Sequence, residues 1–542
     1  MSSSNEPLIP TPTRRTSLPA KAIAICLILS LASLATLIAL HKPTIRHSTP
    51  LLRPSDLCRL SASPAACATI VSDAIAAGGS SVRPNPAQVL QALISRSLIQ
   101  LDAVLVSIHP PTNSNLDPKS ALADCVGLLD LSRDRLLDSA SAVASGNHAD
   151  ARTWLSAALT NHDTCLDGQL PAPSCLDSLV ALASASLAVL NAVSAPDSRD
   201  VVVVENFPSW VAAKDRKLLE ASTANPVIEA NVTVAADGSG DYGTVQEAVD
   251  NAPSKGKSRY VIRVKNGTYV ENVMVWKNKT NVMIVGDGVD STVITGDRNV
   301  IDRWTTFNSA TLAAVADGFI LQDICIQNTA GPEKHQAVAL RVGADRSVIN
   351  RCRLAGYQDT LYAHSLRQFY RETSISGTVD FVFGNAAVVF QKCCLVARLP
   401  MRNQQNLVTA QGRTDPNQNT GTSIQDCRVV PGPDLLQAET HVPTYLGRPW
   451  KNFSRTVYMQ SYIDGHVDRK GWLEWDGDFA LDTLYYGEFA NVGPGAGTAG
   501  RVNWTGYNVI TDPNVANDFT VAQFIQGGQW LQSTGVEYTE GL

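Results

Sequence analysis

The chain holds nine Trp, thirteen Tyr and twelve Phe, and all but one of them lie beyond residue 200; the first 200 residues contain only Trp154. Aromatic and β-branched side chains build pleated, half-buried surfaces. A segment without them must make its core from Ala, Leu and Val, which suits helices. Two differently built halves are therefore joined near residue 200. At about 150 residues per domain, the 542 residues leave room for two to four domains. With 44% hydrophobic and 17% charged residues, the chain is too apolar for general disorder. A formal net charge of −6 argues against a nucleic-acid-binding protein, which needs a basic excess.

Residues 22–40, AIAICLILSLASLATLIAL, carry no charge; Arg14, Arg15 and Lys21 precede them. At about 1.5 Å per helical residue this run spans roughly 28 Å, one hydrocarbon core. The upstream basic residues place the tail 1–21 in the cytosol. No clear small-x-small cleavage site follows, so a signal-anchor or transmembrane helix is preferred over a cleaved signal peptide. Either way the remainder enters the secretory pathway. Ten cysteines beyond the run and five N-x-[ST] sequons, at Asn231, Asn266, Asn278, Asn452 and Asn503, agree with glycosylation and an oxidising compartment.

Residues 51–200 place apolar residues three and four apart, as in PNPAQVLQALISRSLIQLDAVLVSI. This predicts amphipathic helices packed as a bundle. Cys58 and Cys67 are spaced to staple a helical hairpin, and Cys125 and Cys165 fall on separate helices. Nothing here carries chemistry, so an interaction or folding module is expected. The polar linker 201–225 contains Arg216 and Lys217, a basic pair suited to a processing protease.

From residue 226 the pattern changes to short β-rich runs, such as RYVIRV, NVMIVGD, GFILQDICIQN and FYRETSISG, recurring every 20–30 residues. Such a period predicts a solenoid, here an all-β parallel β-helix over 226–542. Gly238, Gly240 and Gly243 form a G-x-G-x-x-G, but no acidic residue ends the next strand and no strand–helix alternation follows. A turn into a helix that caps the solenoid is expected instead of a nucleotide site.

GYQDTLY (356–362) and GTVDFVFGNA (377–386) supply the chemistry. Gly356 and Gly377 are 21 residues apart, and Asp359 and Asp380 each follow their glycine by three. Consecutive coils stacked about 4.8 Å apart would set the two carboxyls side by side. Two such groups do not both ionise easily, which separates them into an acid and a nucleophile or base. Spacing alone leaves an Asp ladder satisfied by turn amides equally open. Gln358 and Gln336 add neutral donors for an oxyanion. Arg448 in YLGRPWK is suited to hold one Asp ionised. Trp450, Tyr362, Trp472 and Trp475 offer faces for sugar rings, although any one aromatic taken alone is more often a core residue than a ligand-facing one.

The motifs NTAGPEKHQAVALRVGADRSV, GYQDTLYAHSLRQFYR, GTVDFVFGNAAVVFQ, TAQGRTDPNQNTG and YLGRPWK resemble plant pectin methylesterase, across nearly all of 226–542. The Cys58/Cys67 pair, DC at 124–125 and TC at 164–165 resemble the pectin methylesterase inhibitor domain. The resemblance implies a right-handed parallel β-helix preceded by a four-helix bundle with disulfides Cys58–Cys67 and Cys125–Cys165. It implies Asp380 as nucleophile, Asp359 as proton donor and then base, and Gln336 and Gln358 as stabilisers of the tetrahedral anion. Arg448 would orient Asp380, with Trp450 and Tyr362 against the sugar. It implies no metal and no cofactor. Its partners would be methylated homogalacturonan of the cell wall, the inhibitor-like domain of the same chain, which would restrain the enzyme half or assist its folding until cleavage, a processing protease at Arg216-Lys217, and a separate proteinaceous inhibitor.

Cys393–Cys427 matches a bridge of that family, with neighbouring Cys394 as the alternative to Cys393. The usual partner of Cys352 is replaced by Thr373, and strand alternation sets Cys325 opposite Arg353, so Cys352 is expected to be a buried thiol. Cys175 is left unpaired. A polygalacturonase with paired carboxylates, a calcium-dependent lyase using Arg448 as base, and a non-catalytic inhibitor are the competing readings.

Overall fold

In a computed structural model, the described residues are 53–77, 85–108, 116–168, 173–194 and 229–542. The apolar run 22–40, the tail before it and the Arg216-Lys217 linker lie outside them.

The first half is helical: α1 (Pro54–Leu57), α2 (Pro64–Ala77), α3 (Pro86–Ile108), α4 (Ala121–Ala144), α5 (His148–Asp167) and α6 (Pro173–Val193). The four long helices, α3 to α6, make the bundle. Sequence sets the helix starts. Asn85 and Gln88 exchange side-chain-to-backbone hydrogen bonds at 2.9 Å ahead of α3, with Pro86 at its first position. Ser120 and Asn147 cap α4 and α5. Leu90, Leu93, Ile94 and Leu101 of α3 meet Leu129 and Leu136 of α4, Leu155 of α5 and Leu179 and Leu190 of α6 in one core. Cys58–Cys67 ties α1 to α2, and Cys125–Cys165 ties α4 to α5, as expected. Cys175 is a free thiol.

The second half stacks strands into three parallel sheets of 11, 7 and 8 strands, each coil contributing in turn to each sheet. Crossovers between parallel strands are right-handed, so this is the right-handed parallel β-helix expected. Side chains of one interior column align coil upon coil: Ile262, Ile284, Leu321, Ile349, Tyr370, Phe390, Ile424 and Tyr458. A second column runs Ile294, Ile326, Leu354, Ile375, Leu395, Val429 and Ile463. All are buried. This core shares no residue with that of the helical bundle. The glycine-rich stretch leads into α7 (Val245–Asn251), whose Val245, Ala248 and Val249 close the first coil. Glu271 holds that helix by accepting the amides of Val245 and Gln246 at 2.9 Å.

One cysteine expectation is corrected. Cys393 and Cys427 are both thiols. They stack on neighbouring coils, the Cys393 amide donating to Cys427 Sγ at 3.3 Å; Cys393 Sγ donates to the Gln391 carbonyl, and Cys427 Sγ to the carbonyls of Gln425 in its own turn and of Phe390 on the coil before. Cys352 is a buried thiol as expected, its amide donating to Thr373 Oγ1 at 3.2 Å, and Cys325 pairs in register with Arg353.

Candidate active site

Strands Leu361–Ala363 and Val382–Gly384 pair in register, Leu361 with Val382 and Tyr362 with Phe383. The residues two positions earlier, Asp359 and Asp380, are thereby stacked on consecutive coils, and the Asp359 amide donates to the Val379 carbonyl at 3.1 Å. Both aspartates occupy the left-handed backbone region, with φ of 64° and 51°. Asp adopts it more readily than most residues, yet at a cost that such sites repay in function. Gly377 is required beside them, since a Cβ there would lie 2.3 Å from Phe381 Cβ and 2.6 Å from the Tyr357 carbonyl.

The two carboxyls are electrostatically unequal. Arg448, on the strand Thr444–Pro449, grips Asp380 with both arms of its guanidinium, Nε to Oδ1 at 2.9 Å and Nη2 to Oδ2 at 2.6 Å. Burial pushes Asp380 above the ordinary carboxylate range, and the Arg448 hydrogen bond and charge pull it back. Asp359 has no such partner. Burial first, and the Asp380 charge second, drive it well above that range. When one proton is present, it resides on Asp359 and Asp380 is the anion. Arg448 is itself positioned from behind, its guanidinium 4.3 Å from the centre of the Trp475 ring. Tied to Asp380 in this way, it is not available as the base that a lyase would need.

Gln336 and Gln358 border the pair, Gln336 from the preceding coil and Gln358 from that of Asp359. Among the described residues, neither side-chain amide has a protein hydrogen-bond partner, while the backbone of Gln358 accepts from the Ala337 amide at 3.2 Å. Their N–H groups are free for a ligand. Tyr362 stacks on Phe383 at 4.2 Å, and Trp450 meets both edge-on. These rings form an aromatic floor beside the aspartates. Trp472 does not belong to it. It is fully buried, stacked on Tyr486 at 4.1 Å and donating Nε1 to Glu488. An isolated bridge to Gly447 turns its side chain into the solenoid core. Of the sequons, Asn231, Asn266, Asn452 and Asn503 are exposed, and Asn278 is half-buried. No cluster of metal-ligating side chains occurs among the described residues.

The pattern reading passed over Phe383, although it follows Tyr362 by the same 21 residues that separate the aspartates. It also missed Arg341, one coil before Tyr362 in register, and Lys451. It named no residue of the helical half that lies over the floor. Helix α5 lies across it: Thr164 Oγ1 is 3.0 Å from His364 Nε2, Asp167 pairs with Lys451 at 2.6 Å, and Asp163 accepts from Thr414 Oγ1 at 2.5 Å. A small space enclosed there is lined by Thr160, Asp163, Thr164, Tyr362, His364 and Trp450 among others. Farther along, Arg135 of α4 pairs bidentately with Asp317 at 2.9 Å. Buried Arg367 joins Asp345 of the β-helix to Asp150 of α5, each at 2.7 Å.

Comparison with known proteins bears on both halves. Residues 231–528 match the Pectinesterase family, and residues 54–189 match the Plant invertase/pectin methylesterase inhibitor family. The chain is 54% identical over 505 residues to "Pectinesterase 2.1" of Solanum lycopersicum, covering 91% of each protein. It is 47% identical over 567 aligned residues to "Pectinesterase/pectinesterase inhibitor 18" of Arabidopsis thaliana, covering all of both. Among solved structures, "Pectin methylesterase from Carrot" matches with a TM-score of 0.58 and 58% identity, covering 59% of this chain and all of that one.

Proposed function

Because the chain belongs to the pectinesterase family and carries an N-terminal domain of the pectin methylesterase inhibitor family, we propose that Asp380 and Asp359 carry out its ester hydrolysis. The activity is that of a carboxylic ester hydrolase acting on pectin methyl esters. A carboxylate oxygen of Asp380, held ionised and aimed by Arg448, attacks the methyl-ester carbonyl carbon of a galacturonate unit. The free amides of Gln336 and Gln358 donate to the oxyanion. Asp359, protonated at the start, gives its proton to the departing methoxide oxygen, and methanol leaves. A mixed anhydride joins Asp380 to the sugar acid. Asp359, now ionised, takes a proton from the water that attacks this anhydride; the Asp380 carboxylate leaves, both aspartates are restored, and the galacturonic acid formed gives its proton to solvent. The observation that carries these roles is the bidentate Arg448 grip on Asp380 beside an unpartnered, buried Asp359.

The helical half acts as a cover, since α5 occupies the aromatic floor that a polymer needs. Release follows cleavage in the linker 201–225 at Arg216-Lys217 by a processing protease. The precursor is secreted to the cell wall, anchored through 22–40 until then, and a separate inhibitor protein docks on the same floor afterwards. Methanol release from methylated pectin by residues 226–542 and their Asp380→Asn variant tests the chemistry. The β-helix has its own core, and the carrot counterpart is a whole solved chain, so this part stands alone. Methanol without chain shortening, lost in the variant, is the expected result. Reducing ends or unsaturated uronate would reassign both aspartates.

A further inference from the structure

Helix α5 meets the β-helix through a row of threonine hydroxyls whose protons are already committed. Thr153, Thr160 and Thr164 donate back to their own helix, to the carbonyls of Ala149, Ser156 and Thr160, at 3.1, 2.9 and 2.9 Å. Each hydroxyl oxygen is left as an acceptor, and each meets one N–H group of the β-helix. Asn419 Nδ2 donates to Thr153 Oγ1 at 2.8 Å, Asn385 Nδ2 to Thr160 Oγ1 at 2.8 Å, and His364 Nε2 lies 3.0 Å from Thr164 Oγ1. With the Thr164 proton spent on its helix, the imidazole carries its own proton on Nε2, and Nδ1 accepts from the Ser365 hydroxyl at 3.1 Å.

Two of these three donors belong to the aromatic floor. His364 and Asn385 follow Tyr362 and Phe383 by two residues on consecutive coils, and the Asn385 amide donates to the His364 carbonyl at 3.1 Å. Both line the small space they share with Tyr362 and Trp450. Both are also held from behind. Gln411 Nε2 donates to Asn385 Oδ1 at 3.0 Å, which turns Nδ2 outward. The His364 ring packs edge-on against Tyr362 and Phe307, with centres 5.1 and 5.3 Å apart. Neither side chain is charged, since burial, with the Arg341 charge behind it, pushes His364 down to about 3.

Resting on the pectinesterase reading, we propose that His364 Nε2–H and Asn385 Nδ2–H bind ring-hydroxyl oxygens of galacturonate units beside the one being hydrolysed, and that Thr164 and Thr160 hold those places in the precursor. Neutral, oriented donors suit hydroxyl oxygens, which every unit carries whether its acid is methylated or free. One rung of the solenoid, about 4.8 Å, is close to the rise of one pyranose unit in an extended chain, so stacked donors read neighbouring units. An acyl group on a ring oxygen weakens that oxygen as an acceptor and adds bulk against the floor. Polymer acylated on its ring hydroxyls is therefore bound less well, for a reason separate from its methyl esters.

The test uses residues 226–542 with His364→Phe, His364→Gln and Asn385→Asp. His364→Phe keeps the ring packing and loses the donor, His364→Gln restores a polar atom, and Asn385→Asp keeps the acceptor for Gln411 while losing the outward N–H. Two substrates are compared, a fully methylated galacturonate oligomer and the same oligomer acetylated on its ring hydroxyls. One neutral hydrogen bond predicts that His364→Phe and Asn385→Asp each raise KM on the first substrate about fivefold with kcat held. On the acetylated substrate KM changes little, so the wild-type preference between the two shrinks by the same factor, and His364→Gln recovers part of it. A KM unchanged in both donor-less variants would show that the row serves the cover alone, and a KM that rises equally on both substrates would reduce it to packing; either overturns the proposal while leaving the esterase reading intact. No methanol from the wild-type protein on the unacetylated oligomer would overturn the esterase reading instead.

Discussion

Replacing Arg448 with Gln in residues 226–542 isolates the electrostatics of the aspartate pair. The guanidinium makes two hydrogen bonds to Asp380, at 2.9 and 2.6 Å, and the Asp380 side chain is 8% exposed. Each charge-assisted bond is worth about 1.5–3 kcal/mol. The two share one carboxylate and are not additive, so about 3–4 kcal/mol is the reasonable total. Two effects follow. The nucleophile loses its aim, and the plateau kcat/KM falls about 10²- to 10³-fold. Its carboxylate also loses the charge that offsets burial, so its pKa rises. The reaction needs Asp380 ionised, so activity appears as pH rises through that pKa, and a higher pKa moves the acid limb to higher pH. A displacement of about two pH units corresponds to about 2.7 kcal/mol, within the estimate. Arg448→Lys keeps a charge but not the fork, and falls between. Methanol release followed from pH 4 to 9 on methylated pectin reads both effects. An acid limb that stays in place in Arg448→Gln would refute the assignment of Asp380 as the group that Arg448 holds ionised.

Two further outcomes concern the cover. Burial pushes Asp163 up to about 7, opposed by the Thr414 hydroxyl and Lys451 and reinforced by the charges of Asp167 and Asp415. Its raised pKa belongs to the docked state. The docked protein therefore holds a proton that the undocked one has lost between about pH 4 and 7, and docking is tightest at the acid end and weakens as pH rises to about 7. One proton sets the slope at no more than about 1.4 kcal/mol per pH unit. The full chain's activity relative to 226–542 should rise across that window, and Asp163→Asn should flatten the rise. Arg135→Ala removes the bidentate pair to Asp317 from a side chain only 8% exposed, weakening the seam by about 2–3 kcal/mol. The full chain's activity should rise at least tenfold, with the melting of the β-helix unchanged; activity that stays low would show that this pair does not hold the cover.

The aspartate pair was legible because the solenoid writes its register into the sequence. With Gly356 and Gly377 a whole coil apart, Asp359 and Asp380 could only stack. The same arithmetic correctly set Cys325 against Arg353. It says nothing where the coils lose their period. Trp472 follows an irregular stretch, so its face was left open, and it turned into the core, as a lone aromatic more often does. The Cys393–Cys427 bridge was an expectation of the family resemblance and not of this arithmetic; the two residues stack, as free thiols. The seam was beyond such reading altogether. Arg135 and Asp317 are 182 residues apart on elements of different symmetry, and no repeat ties a helix face to a coil. In the helical half the Cys58–Cys67 staple was legible from its nine-residue spacing, whereas the Cys125–Cys165 pair was legible only through family resemblance.

Arg448 lies on the last strand of the seven-stranded sheet, while the strands next to Asp359 and Asp380 lie two and three rungs inward. A stack of coils is held by neighbours alone and loosens from its ends. The outer rung here is secured by the Tyr458 hydroxyl on the Leu446 carbonyl and by the bridge to Trp472. Loosening from the C-terminal end would free the arginine while the two aspartates were still locked together. The enzyme would then fall silent before it melts, its nucleophile reprotonated on a scaffold still mostly folded.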